Sequence, residues 1–376
     1  MGVTAFTSPV PYAVYQRRLA RADDNKADFV ADAGALPGSA LVPFAGKAAP
    51  NATYGLRVMT TEFPRQQIMP ELLLRTDALG RFHVILALPA GGWYLANLRL
   101  EDESITVGPF GVGEVYLIAG QSFVGNYHSS RLAVSEPRGR VAAFNLRKRQ
   151  WRVAHDPQPT PDFPDEGEGR WAHVNKLQTK MHLQQRFDGG SVWPMVGDML
   201  VGVLGVPVGF ANISFGGSPI KRWHPEHGRL FGLMAEAARQ LGRFRAVLWA
   251  QGESDVESGL AAEDWAKRLK QIQKALTGEL DFQPDWLVAK STRHPSAYDQ
   301  PEREEALRSA IDRLWRRDPK IFPGADTDRL LGEENRAGIG DSAHFSAEGQ
   351  RRAAWLWFHA IMAHIEHREA LAAAAE

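Results

Sequence analysis

The chain has 376 residues and not one cysteine. Disulfides, thiolate nucleophiles and cysteine-ligated zinc are therefore excluded. The cellular compartment stays open, because a cysteine-free chain suits reducing and oxidising spaces alike. No stretch approaches the roughly 20 apolar residues that cross a bilayer, so no membrane partner is expected. Excess charge is also lacking: 44 Lys+Arg offset 44 Asp+Glu. That balance argues against nucleic acid or an anionic surface held by bulk electrostatics, and suits a neutral substrate of modest size. The opening MGVTAFTSPVPYAVYQRR lacks the charged start and apolar run of a signal peptide. The expectation is a cytoplasmic protein, or a periplasmic or secreted one whose signal is absent from this sequence. No internal repeat occurs, and the only low-complexity tract is the alanine-rich end Ala370–Ala375.

What is present is the composition of a globular protein, 44% hydrophobic and 23% charged. The length suits one large domain plus a smaller one. Residues 1–110 read as β structure, with short β-branched or aromatic segments at Ala13–Gln16, Leu56–Thr60, Glu71–Arg75, Phe82–Ala87 and Trp93–Leu100. Turn formers separate them, and the one helical period is Ala20–Asp32. A small N-terminal β-sandwich is the economical reading. From Gly113 the pattern changes to continuous apolar runs at Val115–Ala119, Val206–Ile213, Ala246–Ala250 and Trp286–Ala289. Amphipathic stretches lie between and after them, at Met195–Leu204, Leu230–Leu241, Ala262–Leu276, Glu302–Arg316 and Ala347–His367. Alternating buried strands and helices predict an α/β domain over residues 111–370, a parallel sheet covered by helices with right-handed connections. Residues 126–190 interrupt that rhythm as a long insertion, and Asp156–Gly169 is dense in Pro, Asp and Glu. Part of it should border the functional site.

Ligands in such a fold sit outside the carboxyl ends of the strands. Four motifs stand there: Gly120-Gln121-Ser122, Gly216-Gly217-Ser218, Gln251-Gly252-Glu253-Ser254-Asp255 and, before the last helix, Asp341-Ser342-Ala343-His344. A serine hydroxyl is a weak nucleophile that needs a base, itself oriented by a third group. Ser122 with His344 and Asp341 supplies that set. The amides of Ser122 and Gly217, with the Gln251 side chain, would hold an oxyanion. Each motif alone has a duller explanation. Gly-Gln-Ser after a strand can be a plain turn, Gly216-Gly217 a loop needing positive φ, and His344 a surface residue. Asp341 could cap the last helix, although Ser346 is the better N-cap. Their joint occurrence at strand ends carries the assignment.

Together these blocks resemble the SGNH hydrolase superfamily, in its sialate O-acetylesterase-like branch that includes carbohydrate esterase family 6. The matching residues are Gly120-Gln121-Ser122, Gly216-Gly217-Ser218 with Trp223, Trp249-Ala250-Gln251-Gly252-Glu253-Ser254-Asp255 and Asp341-Ser342-Ala343-His344. The resemblance implies a flavodoxin-like three-layer α/β/α fold, a Ser122–His344–Asp341 triad and an oxyanion site near Gly217 and Gln251. It implies an acetylated carbohydrate as substrate and no cofactor or metal. One departure is clear: the family's Asn after the serine is Phe123 here, and Asn126 is the candidate replacement for its amide. Gln121, Arg222 and Trp223 could line the substrate site, with Trp223 equally able to pack beneath its loop. Glu253 and Asp255 read as structural. His224 and His227 have metal-like spacing, but Pro225 between them and the lack of a third ligand speak against metal. His364 and His367 read as solvated. Trp151 and Trp171 would fit sugar stacking, with core packing as the default.

Three rivals remain. An α/β-hydrolase would carry Gly-x-Ser-x-Gly, and Gly120-Gln121-Ser122-Phe123-Val124-Gly125 is one residue too long. A carbohydrate-binding protein with a lost active site would lack one of Ser, His and Asp, which are all present. An SGNH esterase for a lipid or aryl ester is the third, and the lack of a lid-like amphipathic helix weighs against a lipid. Composition favours no one sugar among xylan, sialic acid, pectin and bacterial polysaccharides, and fixes no oligomeric state.

Overall fold

The computed structural model describes residues 5–19, 38–161, 189–226, 228–293, 300–336 and 344–374. Its N-terminal part holds β1 (Ala5–Ser8), β2 (Val14–Gln16), β3 (Ser39–Lys47), β4 (Thr53–Thr60), β5 (Leu72–Arg75), β6 (Arg81–Pro89) and β7 (Gly91–Leu100), which lead into β8 (Glu103–Gly120). Strands β1, β3 and β6 form one antiparallel sheet, while β5, β4, β7 and the first half of β8 form a second. Side chains alternate along each strand, so every second residue enters the space between the sheets. Val42 and Phe44 of β3 meet Leu56 and Val58 of β4, Leu98 of β7 and Phe110 of β8 there. The sandwich read from the sequence is thus two sheets over one core.

The second half of β8 enters the α/β layer. With β9 (Val141–Asn145), β10 (Gln150–Val153), β11 (Val208–Asn212), β12 (Ala246–Ala250), β13 (Asp285–Lys290) and β14 (Ile321–Asp326) it forms a sheet ordered β10-β9-β11-β8-β12-β13-β14. All neighbours are parallel except β10 against β9. The helices are α1 (Trp193–Leu204), α2 (Arg229–Leu241), α3 (Glu253–Ser258), α4 (Ala262–Gly278), α5 (Pro301–Arg317) and α6 (Ala347–Ala373). Val115, Leu117 and Ala119 point to the face covered by α2, α4 and α5. Tyr116 and Ile118 point to the face covered by α1 and α6. This is the three-layer α/β/α arrangement, and β8 lies where the chain crosses from one side of the sheet to the other, the usual place for a site.

The differences from the sequence reading have local causes. β3 contains Pro43 and Gly46, and β14 contains Pro323 and Gly324, residues that disguise a strand. The hairpin β9–β10 lies within what reads as a loop insertion. The change of pattern near residues 110–113 falls inside one unbroken strand, β8. The helical period Ala20–Asp32, Trp171 and most of the Asp156–Gly169 tract lie outside the described residues. Ser346 does cap the last helix, its hydroxyl accepting from Gly349 N at 3.0 Å.

Where β8 passes from sandwich to sheet, a buried ion cluster fastens the N-terminal segment to it. Glu114 is fully buried and accepts from Arg17 Nε at 2.6 Å, Arg245 Nε at 2.8 Å and Gln16 Nε2 at 3.1 Å. Gln16 Oε1 in turn accepts from Val115 N at 2.8 Å. Burial opposes ionisation of Glu114, but the Arg245 and Arg17 guanidiniums outweigh it and hold the carboxyl below its ordinary value of 4.5. A depressed pKa contributes stability above the unfolded value, and that contribution fades as pH falls through the folded one. Glu114→Gln leaves the buried Arg245 guanidinium and the half-buried one of Arg17 facing an amide and should cost about 3 kcal/mol or more in urea denaturation at neutral pH. The gap to the wild type should narrow in acid; an undiminished gap there would contradict the assigned charge.

Candidate active site

Strand β8 ends at Gly120, whose φ is +134°. A Cβ at this position would lie 2.0 Å from Ala250 O, so only glycine fits. Gln121 N donates to Ala250 O at 2.8 Å, and Phe215 N donates to Gly120 O at 2.9 Å. The loops leaving β8, β11 and β12 are thereby stitched together at one level. Ser122 opens a single 3-10 turn, Ser122–Val124, closed by Gly125 N donating to Ser122 O at 3.0 Å. It is 7% exposed and lines a cavity of about 830 Å³ together with Gln121, Phe123, Tyr127, Gly217 and His344.

Gly217 has φ +59°, and a Cβ built on it would touch nothing. Its loop is braced from below. Ser218 Oγ donates to Phe215 O at 2.6 Å and accepts from Trp223 Nε1 at 3.0 Å, and Ile220 N donates to Asp255 Oδ2 at 2.8 Å. Among the described residues, neither Ser122 N–H nor Gly217 N–H donates to any protein acceptor. Both residues line the cavity.

Gln251 requires a correction. Its place after β12 suggests an oxyanion donor, but the side chain is fully buried and absent from the cavity wall. Gln251 Nε2 reaches Gln121 Oε1 and Ser218 O, each at 3.2 Å, and the Asp255 carboxylate, while its Oε1 accepts from Trp265 Nε1 at 2.8 Å. Its amide is committed to bracing the two neighbouring loops. Gln121 is the side chain that reaches the cavity, with its Oε1 turned inward to Gln251.

His344 is half-buried and its ring contacts two aromatic rings, Tyr127 at 5.5 Å and Phe123 at 5.6 Å. Asp341 lies outside the described residues. Phe123, the departure from the family pattern, is the hub of a cluster: its ring meets Phe345 at 5.0 Å and takes the Arg336 guanidinium at 4.8 Å. The aromatic side chain thus packs the Ser122 turn against the segment that carries His344. His128, fully buried, joins the same two segments. Its Nε2 lies 3.1 Å from Phe123 O, and Phe345 N donates to its Nδ1 at 3.3 Å. Burial pushes this imidazole down to about 3, with Arg336 adding to the shift against the Phe123 carbonyl bond.

The remaining candidates sort as follows. Asn126 is buried, and both ends of its amide bind the Gln158 backbone, at 2.7 and 2.8 Å. It anchors the root of the insertion and does not stand in for the missing Asn. Trp223 is fully buried against Trp249 and packs beneath its loop. Arg222 lies over the Phe215 ring at 4.6 Å, outside the cavity lining. Trp151 packs on Phe144 at 5.1 Å, a core contact. His224 contacts Gln271, and His227 lies outside the described residues. His364, read as solvated, is 3% exposed and pairs with Asp285 at 2.9 Å. Lys221 and Arg268 also line the cavity, and no motif or spacing marks them in the sequence. For Tyr127 and His128 the only signal was nearness to Ser122.

Residues 112–361 match the sequence profile of a family described as carbohydrate esterase, sialic acid-specific acetylesterase. The chain belongs to this family and is an esterase of the carbohydrate acetylesterase type. It is similar in structure to a carbohydrate acetylesterase from Xanthomonas citri, with TM-score 0.56 and 17% identity over 96% of this chain and 76% of that one. It also matches a protein from Arabidopsis thaliana, with TM-score 0.48 and 17% identity over 66% of this chain and 98% of that one. No curated protein sequence matches it.

Glu253, beside this layer, is fully buried. Its Oε1 accepts from the Ser291 hydroxyl, and its Oε2 has no partner among the described residues. Burial pushes its carboxyl up to about 8, against the Ser291 bond. With a raised folded pKa, the folded state keeps a proton that the unfolded state releases, so stability falls as pH climbs from near 4.5 toward about 8. Glu253→Gln should flatten that slope in melting temperatures taken across this window. An unchanged slope would mean that Glu253 is ionised in the fold.

Proposed function

We propose that this esterase removes O-acetyl groups from a carbohydrate through an acetyl-enzyme on Ser122. The observation that carries the reading is the shared cavity wall, which Ser122, Gly217 and His344 line together, with the N–H groups of Ser122 and Gly217 donating to no acceptor among the described residues. His344 takes the proton as Ser122 Oγ bonds to the acetyl carbon, and Asp341, three residues before it, orients the imidazole. The developing oxyanion is met by the two backbone amides and by Gln121 Nε2, the end of that side chain left over when its Oε1 is held by Gln251. The bond from acetyl carbon to sugar oxygen breaks, and His344 returns its proton to that oxygen. Water then attacks the acetyl-enzyme, with His344 again taking the proton, and acetate leaves as Ser122 is restored. The reaction needs no cofactor.

With p-nitrophenyl acetate, Ser122→Ala and His344→Ala should each lower kcat by about three orders of magnitude or more. Near-normal turnover in either variant sinks the assignment.

Within this substrate class, an acidic sugar is favoured by one observation. Lys221 and Arg268 line the cavity, and neither makes an ion pair among the described residues. Glu257 shares the wall at the surface, while Asp255 is buried with its carboxylate bound to Ile220 N and Gln251. The neutral net charge of the whole chain does not describe this local arrangement. The family's description names sialic acid, a carboxylate sugar. Replacing both cations by alanine should raise KM for an O-acetylated acidic sugar about tenfold or more, the worth of a charge-assisted hydrogen bond, and far less for an aryl acetate. Equal effects on the two substrates would contradict a carboxylate subsite.

A further inference from the structure

We propose that His128 is a positioning residue for this hydrolysis, a clamp that fixes the spacing between the Ser122 turn and the His344 segment. The inference rests on the Ser122–His344 reading and adds a residue that touches neither the substrate nor the reacting atoms.

The geometry is specific. One imidazole nitrogen faces the carbonyl of the residue after the serine, and the other faces the amide of the residue after the histidine. The partners fix the tautomer: Nδ1 accepts from Phe345 N, so the proton is on Nε2 and is donated to Phe123 O. A doubly protonated ring could not accept from Phe345 N, and the buried setting keeps the ring neutral. His128 is itself anchored from a third direction, because its N donates to Gly190 O at 3.0 Å and its O accepts from Gly190 N at 3.2 Å. Ser129 continues the strap, donating to Phe345 O from Oγ at 2.9 Å and from its backbone N at 3.2 Å.

Other contacts keep the His344 segment docked without the imidazole. Phe345 bridges to Arg336, and Ser346 N donates to Asn335 O at 3.0 Å. Loss of the clamp should therefore change alignment more than folding. Nucleophile and base must meet at hydrogen-bond distance, and a displacement of about 1 Å can cost about a hundredfold in rate.

The two halves of the clamp can be cut separately. In His128→Asn the side-chain oxygen can replace Nδ1, keeping the bond from Phe345 N and losing that to Phe123 O. In His128→Gln the amide nitrogen can replace Nε2, with the opposite result. For each variant, kcat and KM on p-nitrophenyl acetate are measured per active site, counted by burst titration, together with the rate of labelling by a fluorophosphonate. The expected result is a fall in kcat and in labelling rate of about tenfold or more, with KM within about twofold of the wild type. If per-site kcat in both variants stays within about twofold of the wild type, the clamp is overturned, because His128 then serves only the fold. Should neither variant fold, Ser129→Ala is read in their place: a several-fold fall in kcat at unchanged KM supports the strap, and full turnover overturns it. Ser122→Ala is run alongside. An active Ser122→Ala variant rejects the underlying reading, whereas an inactive one with unaffected His128 variants rejects the clamp alone.

Discussion

Strand β8 is the constraint on which the rest of the structure depends. It runs unbroken for 18 residues, Glu103–Gly120, and belongs to two bodies at once. Its first half closes the sandwich against β7, and its second half is the parallel strand between β11 and β12. Its last residue, Gly120, holds the turn that presents Ser122. The N-terminal sandwich is thus continuous with the strand that leads into Ser122. Glu114, at the crossing, couples Arg17 before the strand to Arg245 at the start of β12.

Around the end of that strand, buried polar side chains do the work of holding loops, and the surface of the cavity is left with donors to offer. Gln251, Asp255, Trp265, Ser218 and Trp223 satisfy one another beneath the Gly216–Ser218 loop. Among the described residues, Ser122 N–H and Gly217 N–H donate to no protein acceptor. On the other side, Phe123, Phe345, Arg336 and His128 pack the serine's turn against the segment of His344. Replacing the family's Asn by Phe123 is compatible with the site because the ring has a cation and three rings to pack on.

The parts of the fold that were legible in the sequence are those whose burial has a simple period. The runs at β8, β11, β12 and β13 are apolar because helices cover both faces, and the helices show their single apolar stripe. The strands that escaped carry proline or glycine, as β3 and β14 do, lie within an insertion, as β9 and β10 do, or are as short as the four-residue β1. The candidate site was legible as a set of strand ends, which placed Ser122, Gly217 and His344 on one cavity. Direction was not legible. Nothing local tells Gln251 to turn inward and Gln121 to reach the cavity. His128 gains its place from contacts 5 and 217 residues away in the chain, which no periodicity records. His364 likewise looks like a helix-surface residue until Asp285 on β13 is brought against it.

In the proposed reaction Ser122 carries the acyl group. The direct measurement is peptide mapping by mass spectrometry of the protein after reaction with a fluorophosphonate, which transfers its phosphonyl group to an activated serine. A single adduct on Ser122 is expected, formed in step with loss of aryl acetate hydrolysis. An adduct on another serine, such as Ser214, Ser218 or Ser254, or hydrolysis that survives full modification of Ser122, would contradict it.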